Sequence, residues 1–140
     1  MKTYNKNKNK FRENLCIIPA RKGSKGIKNK NIISFCGKPL IQHTFDTAKK
    51  IKNEFDILVS TDSDKIRKLA IKNKFYFLGS RPKFLSGDRV ETKDVLKYEL
   101  KRIEKLKKKK YKNILLLQAT CPFRNPKKIF LSLRKINTKI

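Results

Sequence analysis

The side chains best suited to chemistry stand in one run, Ile17-Ile18-Pro19-Ala20-Arg21-Lys22-Gly23-Ser24-Lys25-Gly26-Ile27-Lys28-Asn29-Lys30-Asn31. An apolar strand empties into a loop that holds two glycines, an arginine, a serine and four lysines. Such a loop offers backbone N–H groups and fixed positive charge to a polyanion, most simply a nucleotide triphosphate. Gly23 and Gly26 permit close backbone approach or a positive φ. Arg21 and Lys25 can grip phosphate oxygens, arginine as a planar fork and lysine as a point charge. The run is not a Walker loop, because Gly26 is not followed by Lys-Ser or Lys-Thr. Nor is it a dinucleotide fingerprint, which needs a third glycine. What remains is Arg-x-Gly-Ser-Lys-Gly followed shortly by Lys-Asn; the plainer alternative is a solvated basic loop.

Alternating strands and helices must position this loop. Leu15 to Ala20 reads as a short buried strand. From Pro39 onward the period becomes helical: Leu40, Ile41, Thr44, Phe45, Ala48 and Ile51 share a face, with Lys49, Lys50 and Lys52 opposite. Phe55 to Ser60 is a second strand, and Thr61-Asp62-Ser63-Asp64 caps a second helix whose inner face is Ile66, Leu69 and Ala70. A short third strand spans Phe75 to Leu78. Thr92 to about Lys107 is a third helix with Val95, Leu96, Leu100, Ile103 and Leu106 as its stripe. Tyr111 to Gln118 holds the most apolar strand, Cys121-Pro122-Phe123-Arg124 is a turn, and Pro126 opens a last helix. This order implies βαβ units and a parallel sheet covered on both faces, with right-handed crossovers. Ligands on such sheets sit beyond the carboxyl ends of the strands. Arg21, Thr61-Asp62, Arg81 and Gln118-Thr120 all fall at that edge.

Composition narrows the partners. The 140 residues carry a net charge of +27, from 38 Lys+Arg against 11 Asp+Glu. Length permits at most one domain with a real core. The excess is mostly lysine spread over loops and polar helix faces, alongside abundant asparagine, a pattern of genome bias more than of a specific nucleic-acid surface. The Lys107 to Lys110 run reads as a solvated helix end. Cys16, Cys36 and Cys121 are odd in number and lack CxxC spacing, which argues against a disulfide framework and a zinc site and fits a reducing cytoplasm. Residues 1–14 are polar and basic, read as a disordered tail and not as a secretory signal. No run approaches a transmembrane span. His43 reads as a structural or surface histidine. Asp62 invites a metal role but suits a helix cap better, and Asp88 suits a loop cap or a ribose contact equally.

The first loop, Ser60-Thr61-Asp62-Ser63, Arg81-Pro82 and Leu117-Gln118-x-Thr-x-Pro-x-Arg124 together resemble the acylneuraminate cytidylyltransferases, in order and in spacing, from about Leu15 to the end of the chain. The resemblance implies a three-layer α/β sandwich with a mainly parallel sheet, of the nucleotide-diphospho-sugar transferase, Rossmann-like kind. It implies that residues 15–140 are the N-terminal part of a cytidylyltransferase domain. It further implies that Arg21, Ser24, Lys25 and Gly26 line a CTP triphosphate site, with Lys30 stabilising charge on the α-phosphate and Arg21 and Lys30 as the catalytic pair. Asn31 and Arg81 would help bind the cytidine, with Ser86 and Asp88 nearby. Gln118 and Thr120 would face the sugar acid, with Arg124 supporting that wall; strand-end hydrogen bonding is the plain alternative for Gln118 and Thr120. The implied reaction joins a nonulosonic acid to the α-phosphate of CTP and expels pyrophosphate, with Mg²⁺. It needs positioning and charge neutralisation more than a side-chain nucleophile.

Members of that family are longer. Their metal-binding acidic pair, and the arm that forms a homodimer and closes the sugar site, lie in the second half. The expectation is therefore a fold cut short, with metal ligands beyond residue 140, no specific nucleic acid and no membrane partner. The alternative is a truncated non-catalytic nucleotide-binding remnant or one subunit of a split enzyme. Ala119 and Cys121 stand where the family has small polar or proline residues. The identity of the sugar is not specified by these residues.

Overall fold

The computed structural model describes residues 12–23 and 26–138. The basic tail expected over residues 1–14 falls mostly outside them. Strand β1 (Asn14–Pro19) is the middle of a three-stranded parallel sheet, because all its positions but Pro19 are apolar or pair their polar groups, and it is buried almost throughout. β1 pairs with β4 (Phe55–Ser60) on one side and with β5 (Asn113–Leu116) on the other, with Asn14 opposite both Phe55 and Asn113. Between β1 and β4 in sequence comes a separate tight hairpin, β2 (Ser34–Phe35) and β3 (Lys38–Pro39), whose turn residues Cys36 and Gly37 both take positive φ. Two successive left-handed residues are what a two-residue hairpin turn with the twist of its strands requires.

The helices cover the two faces unequally. Alternate β1 residues point opposite ways. Cys16 and Ile18 pack with α1 (Leu40–Ile51), α2 (Asp64–Lys72) and α4 (Pro126–Thr138), through Ile41, Phe45, Ala48, Ile66 and Phe130. Leu15 and Ile17 pack with Leu58 and with Ile103 of α3 (Thr92–Lys107). The result is the α/β, mainly parallel, three-layer arrangement. Burial drives the Cys16 thiol well above its ordinary pKa, which keeps it an inert core residue.

Four local expectations need correction. The third strand reduces to a single bridge, Tyr76 beside Leu58, since Lys74 turns the chain with positive φ just before it. β5 is four residues long, and Ile114 is 42% exposed because no strand among the described residues flanks it. Leu106 lies outside the buried stripe of α3 at 60% exposure. The helix α2 is capped by Ser63, whose Oγ accepts from the Ile66 N–H, and not by Asp62.

Candidate functional site

The carboxyl end of β1 delivers the first loop, and two non-local hydrogen bonds shape it. Asp62, just past β4, accepts the Lys22 N–H at 2.6 Å, and the Asn31 side-chain amide donates to the Arg21 carbonyl at 3.1 Å. Asp62 is therefore a loop anchor. Gly26 sits at φ +88°, a conformation glycine adopts without strain, and Asn29 follows in the left-handed region before a 3₁₀ turn over Lys30–Ile32. Ser24 and Lys25 lie outside the described residues.

Three chain segments converge on one cavity of about 370 Å³. Arg21, Gly23, Lys30 and Asn31 come from the loop after β1, Arg81 and Asp88 from the segment after Tyr76, and Gln118 and Thr120 from the turn after β5. β1 and β5 leave in sequence order but lie side by side with β4 across β1, so the cavity opens where the strand order reverses, the place where open α/β sheets bind ligands. Leu85, Val90, Val95 and Ala119 supply an apolar wall. The first turn of α3, with Thr92, also faces the cavity and adds the positive end of a 16-residue helix, which sequence reasoning missed.

Cations dominate the lining: Arg21, Lys30 and Arg81 against the carboxylate of Asp88. Arg21 Nη1 reaches Asp88 Oδ1 at 2.5 Å, while Lys30 forms no ion pair among the described residues. Arg81 is only 6% exposed and is fixed from three sides. Its Nε donates to Ser60 Oγ at 3.2 Å, its Nη2 to the Ser60 carbonyl at 2.8 Å and its Nη1 to the Leu85 carbonyl at 3.3 Å. Burial lowers the Arg81 pKa from its ordinary value, while the carboxylates of Asp62 and Glu99 oppose the shift and Arg21 adds to it. An arginine stays protonated under such a shift.

Three of the expected residues stand apart. Ser86 turns its hydroxyl back to the Pro82 carbonyl at 2.9 Å and does not line the cavity. Gly26 does not line it either. Arg124 sits between two other surface depressions, one against β5 and α4 and one beside His43 and Phe123, and its Nε is buried with no hydrogen-bond partner among the described residues. His43 is engaged structurally: Nε2 lies 2.6 Å from the Phe35 carbonyl, and its ring meets Phe35 and Phe123 edge-on.

Sequence reasoning also missed two buried carboxylates. Glu99 of α3 is 1% exposed and accepts the Ser60 hydroxyl at 2.7 Å. Its signal was present, since it falls four residues from both Val95 and Ile103 on the buried face. Asp56 lies at the opposite end of the sheet and is held by Tyr111, Lys109 and Arg12. Lys109 is accordingly not part of a solvated helix end; its side chain is 7% exposed. Around the cavity, no group of three or more His, Cys, Asp or Glu able to hold a metal occurs among the described residues. Asp88, the one carboxylate in the lining, is already engaged by Arg21. The residues present do not form a magnesium site of their own.

The family model for cytidylyltransferases matches residues 15–139. An N-acylneuraminate cytidylyltransferase of Streptococcus agalactiae is 38% identical over 112 residues, covering 79% of this chain and 26% of the relative. A pseudaminic acid cytidylyltransferase of Campylobacter jejuni is 35% identical over 113 residues, covering 81% of this chain and 48% of the relative. Among solved structures, a CMP:2-keto-3-deoxy-manno-octonic acid synthetase complexed with CTP superposes with a TM-score of 0.69 at 22% identity, over 91% of this chain and 48% of that one. The chain thus spans between about a quarter and a half of the length of the proteins it matches.

Proposed function

The chain belongs to the cytidylyltransferase family, and on that premise we propose that its cavity binds CTP for the activation of a sialic-acid-like nonulosonic acid. The observation that carries this reading is the convergence of Arg21, Lys30, Asn31, Arg81, Gln118 and Thr120, from three separate chain segments, on one cavity at the carboxyl edge of the sheet. In this reading Arg21, together with Ser24 and Lys25, holds the triphosphate, Gly26 shapes the loop from outside the lining, and Arg21 and Lys30 neutralise charge developing at the α-phosphate. Asn31, Arg81 and Asp88 serve the nucleoside, with Ser86 outside the lining. Gln118 and Thr120 face the sugar acid, and Arg124 stands apart from that wall.

For the whole protein we propose the reaction that the family resemblance implies. The anomeric hydroxyl of the sugar attacks the α-phosphorus, the α–β anhydride breaks, pyrophosphate leaves with the bonding pair, and the hydroxyl proton goes to solvent. Mg²⁺ would accompany CTP and offset the charge of its phosphates; the described residues that line the cavity do not themselves form a site for it. Cytoplasmic placement suits the free thiols of Cys16, Cys36 and Cys121. No helix among the described residues is long and apolar enough to cross a membrane.

Calorimetric titration of CTP into the chain tests the nucleotide site, and Mg²⁺-dependent pyrophosphate release from CTP plus N-acetylneuraminic acid tests turnover. Binding with turnover supports the full reading. Binding without turnover favours a nucleotide-binding remnant or a subunit of a split enzyme. No binding at all removes both.

A further inference from the structure

We propose that Glu99, on the face of the sheet away from α1, is a positioning residue that fixes the Arg81 guanidinium toward the cavity through the hydroxyl of Ser60. The inference rests on the cavity being a nucleotide site, and assigns Arg81 its orientation at the pyrimidine end of that site. The hydrogen-bond directions are forced by chemistry. Arginine only donates and a carboxylate only accepts. The Ser60 hydroxyl, 3.2 Å from Arg81 Nε and 2.7 Å from Glu99 Oε1, must therefore accept from the arginine and give its proton to the glutamate. Glu99 thus decides which way that hydroxyl points, and the hydroxyl decides the plane of the guanidinium.

The rest of the environment supports a positioning role over simple burial. Two further bonds, to the Ser60 and Leu85 carbonyls, lock Arg81 in the same plane and leave it N–H groups to spare for the cavity it lines. Leu85, Val90 and Val95 lie beside it as an apolar wall matched to a planar base. Glu99 is 1% exposed and Arg81 6%, so the pair compensates charge where water does not. Arg102, one turn along α3, reaches the second Glu99 oxygen only at 3.4 Å. Burial pushes the Glu99 pKa up, and Ser60, Arg102 and Arg81 act against it.

The test is a pair of ligands and a pair of variants on the full chain. CTP engages the base end and inorganic tripolyphosphate does not. Glu99→Gln and Ser60→Ala are each expected to weaken CTP about tenfold while leaving tripolyphosphate affinity within about twofold of the parent. In the ligand-free protein, the Arg81 Nε–H resonance should exchange slowly with solvent in the parent and rapidly in both variants. Ser60→Ala keeps the question open to experiment if Glu99→Gln does not fold. Equal loss for both ligands, or unchanged CTP affinity with only a lower melting temperature, overturns the inference, as does an Arg81 resonance that neither variant moves. Failure of the parent to bind CTP would instead remove the nucleotide reading, and the resonance would still decide whether Glu99 holds Arg81.

Discussion

The two ends of the parallel sheet are built on opposite plans. At the amino end, Asp56 is 3% exposed and receives the Tyr111 hydroxyl at 2.5 Å, Lys109 Nζ at 3.1 Å and Arg12 Nη1 at 3.4 Å. Lys109 also donates to the Arg12 carbonyl and lies over the Tyr111 ring. Charge there is consumed within the fold. At the carboxyl end, Arg21, Lys30 and Arg81 line a cavity with a single carboxylate among them. The difference teaches where the chain invests in stability and where it leaves electrostatic potential for a ligand, since a group satisfied internally cannot also serve a substrate without loss.

The sharpest way to break this comparison is to cross the ends. Asp56→Ala strands Lys109 in a buried site and should lower unfolding stability by about 3–5 kcal/mol, read by denaturant titration, with CTP affinity unchanged in the protein that remains folded. Next in size, Arg21→Ala with Lys30→Ala should weaken CTP about a hundredfold, while the denaturation midpoint shifts little. Should either double or single substitution move both quantities together, the division of labour is wrong.

The two buried carboxylates sharpen the comparison through pH. Burial works to raise Asp56, but the Tyr111 and Lys109 hydrogen bonds and the Lys109 and Lys107 charges win, leaving it below its ordinary 3.8. Its contribution is present above that value and is lost as pH falls through the lower native one. Glu99 shifts the other way, raised above its ordinary 4.5 by burial. Its contribution is present below 4.5 and is lost as pH rises through the higher native value. Urea denaturation across pH 3 to 7 should therefore show Asp56→Asn flattening the acid limb and Glu99→Gln flattening the decline above about pH 4.5. The smallest effect is expected for Asp88→Asn, which releases Arg21 and should tighten inorganic tripolyphosphate about two- to threefold; weaker binding would place Asp88 among the ligand contacts instead of in competition with Arg21.

Local pattern made much of this legible. The apolar runs of β1 and β4 and the 3.6-residue stripes of α1, α2 and α3 mark elements whose burial faces are contiguous in sequence, and the rule about strand ends points to Arg21, Arg81 and Gln118 before any coordinate. What escaped depends on long-range pairing. Asp62 looks like a helix cap because its neighbours are Thr61 and Ser63, yet its partner is the Lys22 N–H across the sheet edge. Lys109 sits in a lysine run and is distinguished by partners far away in sequence, Asp56 at 53 residues and the Arg12 carbonyl at 97. The Ser34 to Pro39 hairpin turns on Cys36, a residue type that gives no turn signal. Arg124 follows a motif that places Gln118 and Thr120 at the cavity, but the intervening turn carries it to the far side of β5.

The most direct measurement is a two-dimensional amide NMR spectrum of the chain recorded with and without CTP. Perturbed amides should fall in residues 20–31, 81–95 and 118–120, with those around Asp56 and Tyr111 unmoved. Shifts concentrated at Lys108 to Lys110, or scattered over the lysine-rich surface with no focus at the carboxyl edge of the sheet, would contradict the assignment of that cavity as the nucleotide site.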